Sequence, residues 1–441
     1  MGRVHAHVRP HVRAHVRSPL SGRSGGLNVH DGISFTASNG RVVIKAPGAA
    51  PTITTLTSAF TFTGGNQSYY RGPSGLLVQS ATNTPRIEYG PGGDVLGLLM
   101  EASRTNICLQ SADLATTWAL TTATVTANST TAPDGTATAD ALVEDATAAS
   151  IHQIAQGITF AATTPYTFSA WIKPAGRTWV ELRYSAGFGT ATSAFFNLSG
   201  SGSVGTLLNS PTATITPYAN GWYRCTVAST SGAAPAGGQV IFRLANADNG
   251  SVYNGDSVSG CYVWGCQVEV GAFPSSYIPT TTVSVARTVD SCIRTLASEF
   301  SATAGTVVVA GRASAGQDAA LGQFVYAFDD NTTGNRMGLF RPPTSDAARG
   351  TFLTASVAQA AIDGTFVNAT NFKSGLAWAV NDFAHSFNGA AVVTDAAGTL
   401  PTVTQLDFGA CAASNQNYGH IRTFDYWPLR YDNATLQARS T

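Results

Sequence analysis

Charge is what this sequence has least of. Only 11% of its 441 residues are Asp, Glu, Lys or Arg, where an ordinary soluble domain carries about 25%, and that small set holds just three Lys and six Glu. Long exposed helices and coiled coils need those side chains on their wet faces, so an α-rich protein is excluded. No run of 18 apolar residues exists, and the N-terminal stretch lacks the apolar segment of a secretory signal, so nothing marks the chain for membrane insertion or Sec export. Basic and acidic groups balance at 25 each, which removes the electrostatic footprint of a nucleic-acid binder or an anionic-membrane binder from the bulk of the chain. Six Cys are scattered without a Cys-x-x-Cys pair, a pattern that suits buried thiols better than a zinc framework or a dense disulfide scaffold. HExxH and P-loop signatures are missing, and no two of the Glu residues stand in a catalytic motif. His152, His385 and His420 are isolated from any visible nucleophile. The expectation is a non-enzyme that requires no cofactor.

What the sequence does have is core-forming aromatic residues, 21 Phe, 14 Tyr and 7 Trp, set among Thr, Ser, Asn and 45 Gly. That composition rules out disorder over the whole length and suits short strands joined by turns. Alternation with a period of two marks Arg41–Lys45, Tyr166–Lys173, Trp179–Tyr184, Val240–Leu244 and Cys261–Glu269 as strands, and Gly305–Gly311, Leu321–Phe328, Leu376–Val380 and Gln405–Gly409 as further ones. The fold class expected is all-β, an extended N-terminal arm and connector followed by two β-sandwiches, one jelly-roll and one concanavalin-like. The divisions are 1–26 (arm), 27–97 (β-rich connector), 98–294 (jelly roll) and 295–441 (second sandwich). The connector is too short and broken for a large core of its own, so its partners are expected in neighbouring copies. Tyr277 and the Ile-Pro-Thr that follows read as an extended linker between the sandwiches.

The arm hides a local charge inside a neutral total. Arg3, Arg9, Arg13, Arg17 and Arg23 and four His precede Gly26, with His-Val-Arg repeated at 7–9, 11–13 and 15–17. The spacing of His7, His11 and His15 would stack imidazoles on one helix face, but Pro10 opposes a helix there. A basic tail that becomes ordered on docking to a larger assembly is the expected role.

Five motifs carry a resemblance. Gly97-Leu-Leu-Met-Glu101-Ala-Ser-Arg104-Thr-Asn106, Ala132-Pro-Asp-Gly135 through Asp140, Asn220-Gly-Trp-Tyr-Arg224, Trp264-Gly-Cys-Gln-Val-Glu269 and Ser276-Tyr-Ile-Pro-Thr280 occur in that order. Together they resemble a jelly-roll domain, similar to carbohydrate-binding modules, found in tail-fibre and head-spike proteins of tailed bacteriophages and prophages. The closing stretch from Gly419 to Leu436 is similar, more loosely, to the final strand and helical turn of concanavalin-like lectin and laminin-G sandwiches. The resemblance implies a virion-surface protein, assembled in the bacterial host cytoplasm, whose partners are capsid or tail proteins and host cell-surface polysaccharide and whose copies associate as a homotrimer. A capsid-decorating or baseplate protein without glycan binding remains an alternative, as does a glycan depolymerase.

A sugar platform needs an aromatic face with planar polar groups beside it. Arg177, Trp179, Glu181 and Arg183 supply those residue types at every second position, the spacing that places side chains on one face of a strand. Ca²⁺ is possible at Asp248 and Asp256 or at Asp329 and Asp330, but the spacing fits no EF-hand loop and turn formation is the more economical account of those Asp, Asn and Gly clusters. Glu101 and Glu269 are expected to be structural anchors, paired with Arg104 or a turn amide.

Overall fold

The computed structural model describes residues 29–316, 322–412 and 419–441, so the arm and its five Arg lie outside the described residues. Among those described, the chain is almost wholly β and builds two β-sandwiches, one inserted into the other.

The inserted sandwich contains two six-stranded sheets. In one, Gln239–Ala245 and Thr192–Asn197 flank the strand Trp179–Tyr184 antiparallel. In the other, Pro165–Ala175 lies between Gly260–Val270 and Tyr223–Thr230. Period-two alternation does the sorting: Val180, Leu182, Tyr184, Val240, Phe242 and Leu244 are all fully buried between the sheets. Trp179, Glu181 and Arg183 consequently share the outer face of the first sheet. Its neighbour presents an outer face of a different kind, where Trp171, Trp222, Trp264 and Tyr277 form a buried aromatic cluster with Leu77. Leu77 comes from a hairpin, Tyr69–Arg71 with Leu77–Gln79, that covers this face. Tyr277 is therefore core and not linker, since the aromatic ring finds buried partners that an isolated extended segment would lack; it is 1% exposed, and its hydroxyl bonds Ser111 Oγ at 2.6 Å.

The second sandwich is assembled from both ends of the chain. Its ten-stranded sheet pairs Gly32–Thr36 with the closing strand Gly419–Trp427, placing Phe35 opposite Phe424 and Ile33 opposite Tyr426. Its seven-stranded sheet ends on Thr61–Thr63, with Phe62 opposite Cys292. The segment 27–97, expected to seek partners in other copies, thus finds them in its own chain. Ile33, Phe35, Val42, Phe60 and Phe62 need a core that a short segment cannot supply, and strands from the far end of the chain supply it. After the closing strand comes the expected helical turn, Asn433–Arg439, capped by Asp432, whose carboxylate accepts from the Thr435 amide at 2.9 Å.

A two-stranded neck, Arg104–Asn106 with Val285–Arg287, carries the chain into and out of the insert. The motif residues converge on it. The Asn106 side-chain amide donates to the Cys266 and Ile278 carbonyls, and its oxygen accepts from the amides of Cys108 and Val268. Glu269 accepts from the Ser275 amide at 2.9 Å and lies 3.6 Å from Arg104. Glu101 accepts from the Ser276 amide at 2.8 Å, from Arg86 at 2.6 Å, and from Arg287. Both arginines are fully buried, and Asp290 completes the group by accepting from Arg86 and from the Glu101 amide. Gly97 is required beside it: with φ +139, any Cβ there would come within 2.5 Å of the Ile421 carbonyl oxygen.

Candidate functional site

The outer face of the Trp179 sheet is the place where the sequence-predicted residues come together. Glu181 forms its floor, fully buried, held by Arg183 at 3.1 Å on its own strand and by Arg243 at 3.3 Å on the next. Arg243 also donates to the Gln153 side chain at 2.6 Å, extending the row across a third strand. On the other side Phe195 and Ser193 are buried opposite Glu181 and Arg183. Around this floor stand half-buried groups: Trp179, Arg183, Arg243, Gln153 and Asn197. Gly205 keeps space for the indole, because a Cβ there would lie 2.6 Å from Trp179 Cζ3 and 2.4 Å from Asp248 Oδ1. The chemistry on offer is an indole beside two guanidiniums and two side-chain amides, with no nucleophile among them. A floor carboxylate tied by two arginines fixes their planes, which suits hydroxyl-rich ligands that accept paired hydrogen bonds.

Arg177 does not belong to this face. It precedes the strand and turns to the other sheet, where it forms a two-pronged contact with buried Glu144, one prong at 2.7 Å. Tyr253 donates to the same carboxylate at 2.7 Å, and Asp256 lies 3.6 Å from the guanidinium. This is a brace between loops: the period-two pattern fails at Arg177 because Gly176, at φ +96, breaks the strand. Arg243 and Gln153 join this face without any local pattern that marks them. Their signal is cross-strand pairing, Glu181 with Arg243 and Arg243 with Gln153, between segments far apart in sequence.

The acidic loops spend their oxygens locally. Asp248 accepts from the Thr206 amide and hydroxyl. Asp256 accepts from the amides of Ser259 and Val258 and from the Ser259 hydroxyl, which together hold it below the usual carboxylate range. Asp330 accepts from Thr332 and Asn335, and Asp329 from the Asn331 amide at 2.7 Å. The bonds of Asp256, Asp329 and Asp330 close turns, those of Asp248 tie its loop to the strand Ser203–Leu208, and no group of three His, Cys, Asp or Glu side chains placed to hold a metal occurs among the described residues. One carboxylate stands apart. Asp407 is fully buried next to the Asp329 strand, and burial, then the proximity of Asp329, pushes it up to about 8. All six Cys are buried, and none forms a disulfide with another among the described residues.

No known family pattern matches the chain, and neither does any curated protein. Solved structures with some likeness include the CBM40 of Ruminococcus gnavus IT-sialidase bound to α2,3 sialyllactose, at 12% identity and TM-score 0.28, covering 32% of this chain and 84% of that one. The same module bound to α2,6 sialyllactose gives 13%, 0.27, 32% and 85%. Domains LG4-5 of the mouse laminin α1 chain give 7% and 0.23, covering 65% of this chain and 92% of that one. Likenesses this slight carry no inference about ligand.

Proposed function

We propose that the protein is a virion appendage, a head spike or tail fibre, that docks on the particle through residues 1–26 and holds host-surface polysaccharide on the Trp179 face without cleaving it. The observation that carries the binding half is the row Gln153, Arg243, Glu181 and Arg183 beside Trp179, a planar polar array with one indole on an otherwise weakly charged sandwich. The attachment half is supported by the five Arg of the arm and by the order of the five motifs. The copies are proposed to form a homotrimer displayed on the virion surface, with capsid or tail proteins as partners. Each site is then shallow and weak, and several copies on one particle raise avidity by roughly 10²–10⁴.

Trp179→Ala tests the binding half. Trp179 points away from the core, so the variant is expected to keep the wild-type melting temperature while losing about tenfold or more in affinity for the host polysaccharide, measured by surface plasmon resonance. Unchanged affinity would remove this face from the account.

A further inference from the structure

Where the outer faces of the two sandwiches approach each other they leave a cavity of about 170 Å³. Trp171 and Arg224 line it from the inserted sandwich; they are cross-strand neighbours, with the guanidinium 4.4 Å from the indole centre. Arg312 and His420, also cross-strand neighbours, line it from the ten-stranded sheet, and Tyr69 and Tyr218 add aromatic wall.

Size, charge and donors point the same way. A cavity of ~150 Å³ admits a benzene ring, so a six-membered ring fits here. Of the two carboxylates in the lining, Glu88 is paired with His420 at 2.6 Å and Glu101 is held by Arg86 and Arg287. Arg224 bonds only the Ser169 hydroxyl and the Ser275 carbonyl, and neither it nor Arg312 has a carboxylate partner among the described residues. Among the described residues, the lining therefore carries an excess of positive charge. Trp171 Nε1, Arg224 Nε and His420 Nδ1 are buried and have no hydrogen-bond partner among the described residues. Indole and guanidinium N–H groups only donate, so the cavity calls for acceptor oxygens.

We propose that this inter-sandwich cavity binds a pyranose bearing a carboxylate, a hexuronate, with the carboxylate on Arg312 and Arg224 and the ring beside the half-buried Tyr69 and Tyr218. The Trp179 face lies on the opposite sheet of the insert, so this site stands or falls independently of polysaccharide binding there. Titration calorimetry of the intact chain with D-glucuronate, D-glucose and acetate tests it. Glucuronate is expected to bind about tenfold or more tighter than either of the others. Arg312 is only half-buried, so Arg312→Gln is expected to leave the melting temperature unchanged and to abolish that margin, while Arg183→Gln on the Trp179 face preserves it. Glucuronate binding no tighter than glucose or acetate, or an unchanged margin in Arg312→Gln, would overturn the proposal.

Discussion

Glu101→Ala is expected to destabilise the protein by about 3–5 kcal/mol, the range for removing one partner of a buried ion pair. The carboxylate accepts from two fully buried guanidiniums and one backbone amide contributed by Arg86, Arg287 and Ser276. Without it, Arg86 retains Asp290 but Arg287 keeps only the Ala102 carbonyl at 2.6 Å, and a positive charge is left in the junction without its counter-charge. Burial alone would raise the Glu101 pKa, but Arg287 and Arg86 outweigh it and hold the group below the usual carboxylate range. Its contribution is therefore present above the ordinary carboxylate pKa and is lost as pH falls through the lowered folded value. Urea unfolding followed by tryptophan fluorescence measures the effect. Because the network sits at the neck, the variant is also expected to split the transition in two as the sandwiches uncouple. A single transition displaced by less than about 1 kcal/mol would show that the junction does not depend on this residue.

Asp407 predicts a pH dependence of the opposite sign. Its pKa rises from an ordinary 3.8 to about 8, with burial the larger cause and Asp329 the second. Between those two values the folded chain holds a proton that the unfolded chain has released. Stability from this group is thus fully present below about 4 and declines as pH rises through about 8. Asp407→Asn keeps the shape of the protonated carboxyl but does not ionise. The variant is expected to flatten the decline and to exceed the wild type at pH 9 by on the order of a few kcal/mol. Melting temperatures of both proteins at pH 6 and pH 9 provide the check. Parallel losses in the two would mean that Asp407 does not titrate in this window.

The pleat made the strands legible. Arg41–Lys45 and Trp179–Tyr184 have the ends that alternation predicts, and the buried set Val180, Leu182 and Tyr184 follows from the same period. The anchoring of Glu101 and Glu269 was also legible, because their motifs place an Arg and a turn within reach. Long-range pairing was not. Nothing local in Gly32–Thr36 says that its partner is Gly419–Trp427, so strands of the second sandwich read as a separate connector. The same blindness hid Arg243 and Gln153, whose place beside Glu181 is set by strand register. Arg177 misled for a different reason: Gly176 breaks the chain just before it, and the alternating strand begins only at Trp179.

The most direct test of the central claim is retention of the intact chain on immobilised, purified host-surface polysaccharide, with reducing ends assayed in the same vessel. Retention that disappears in Trp179→Ala, with no new reducing ends over hours, is the expected result. Absence of retention, or release of reducing ends by the wild-type chain, would contradict it.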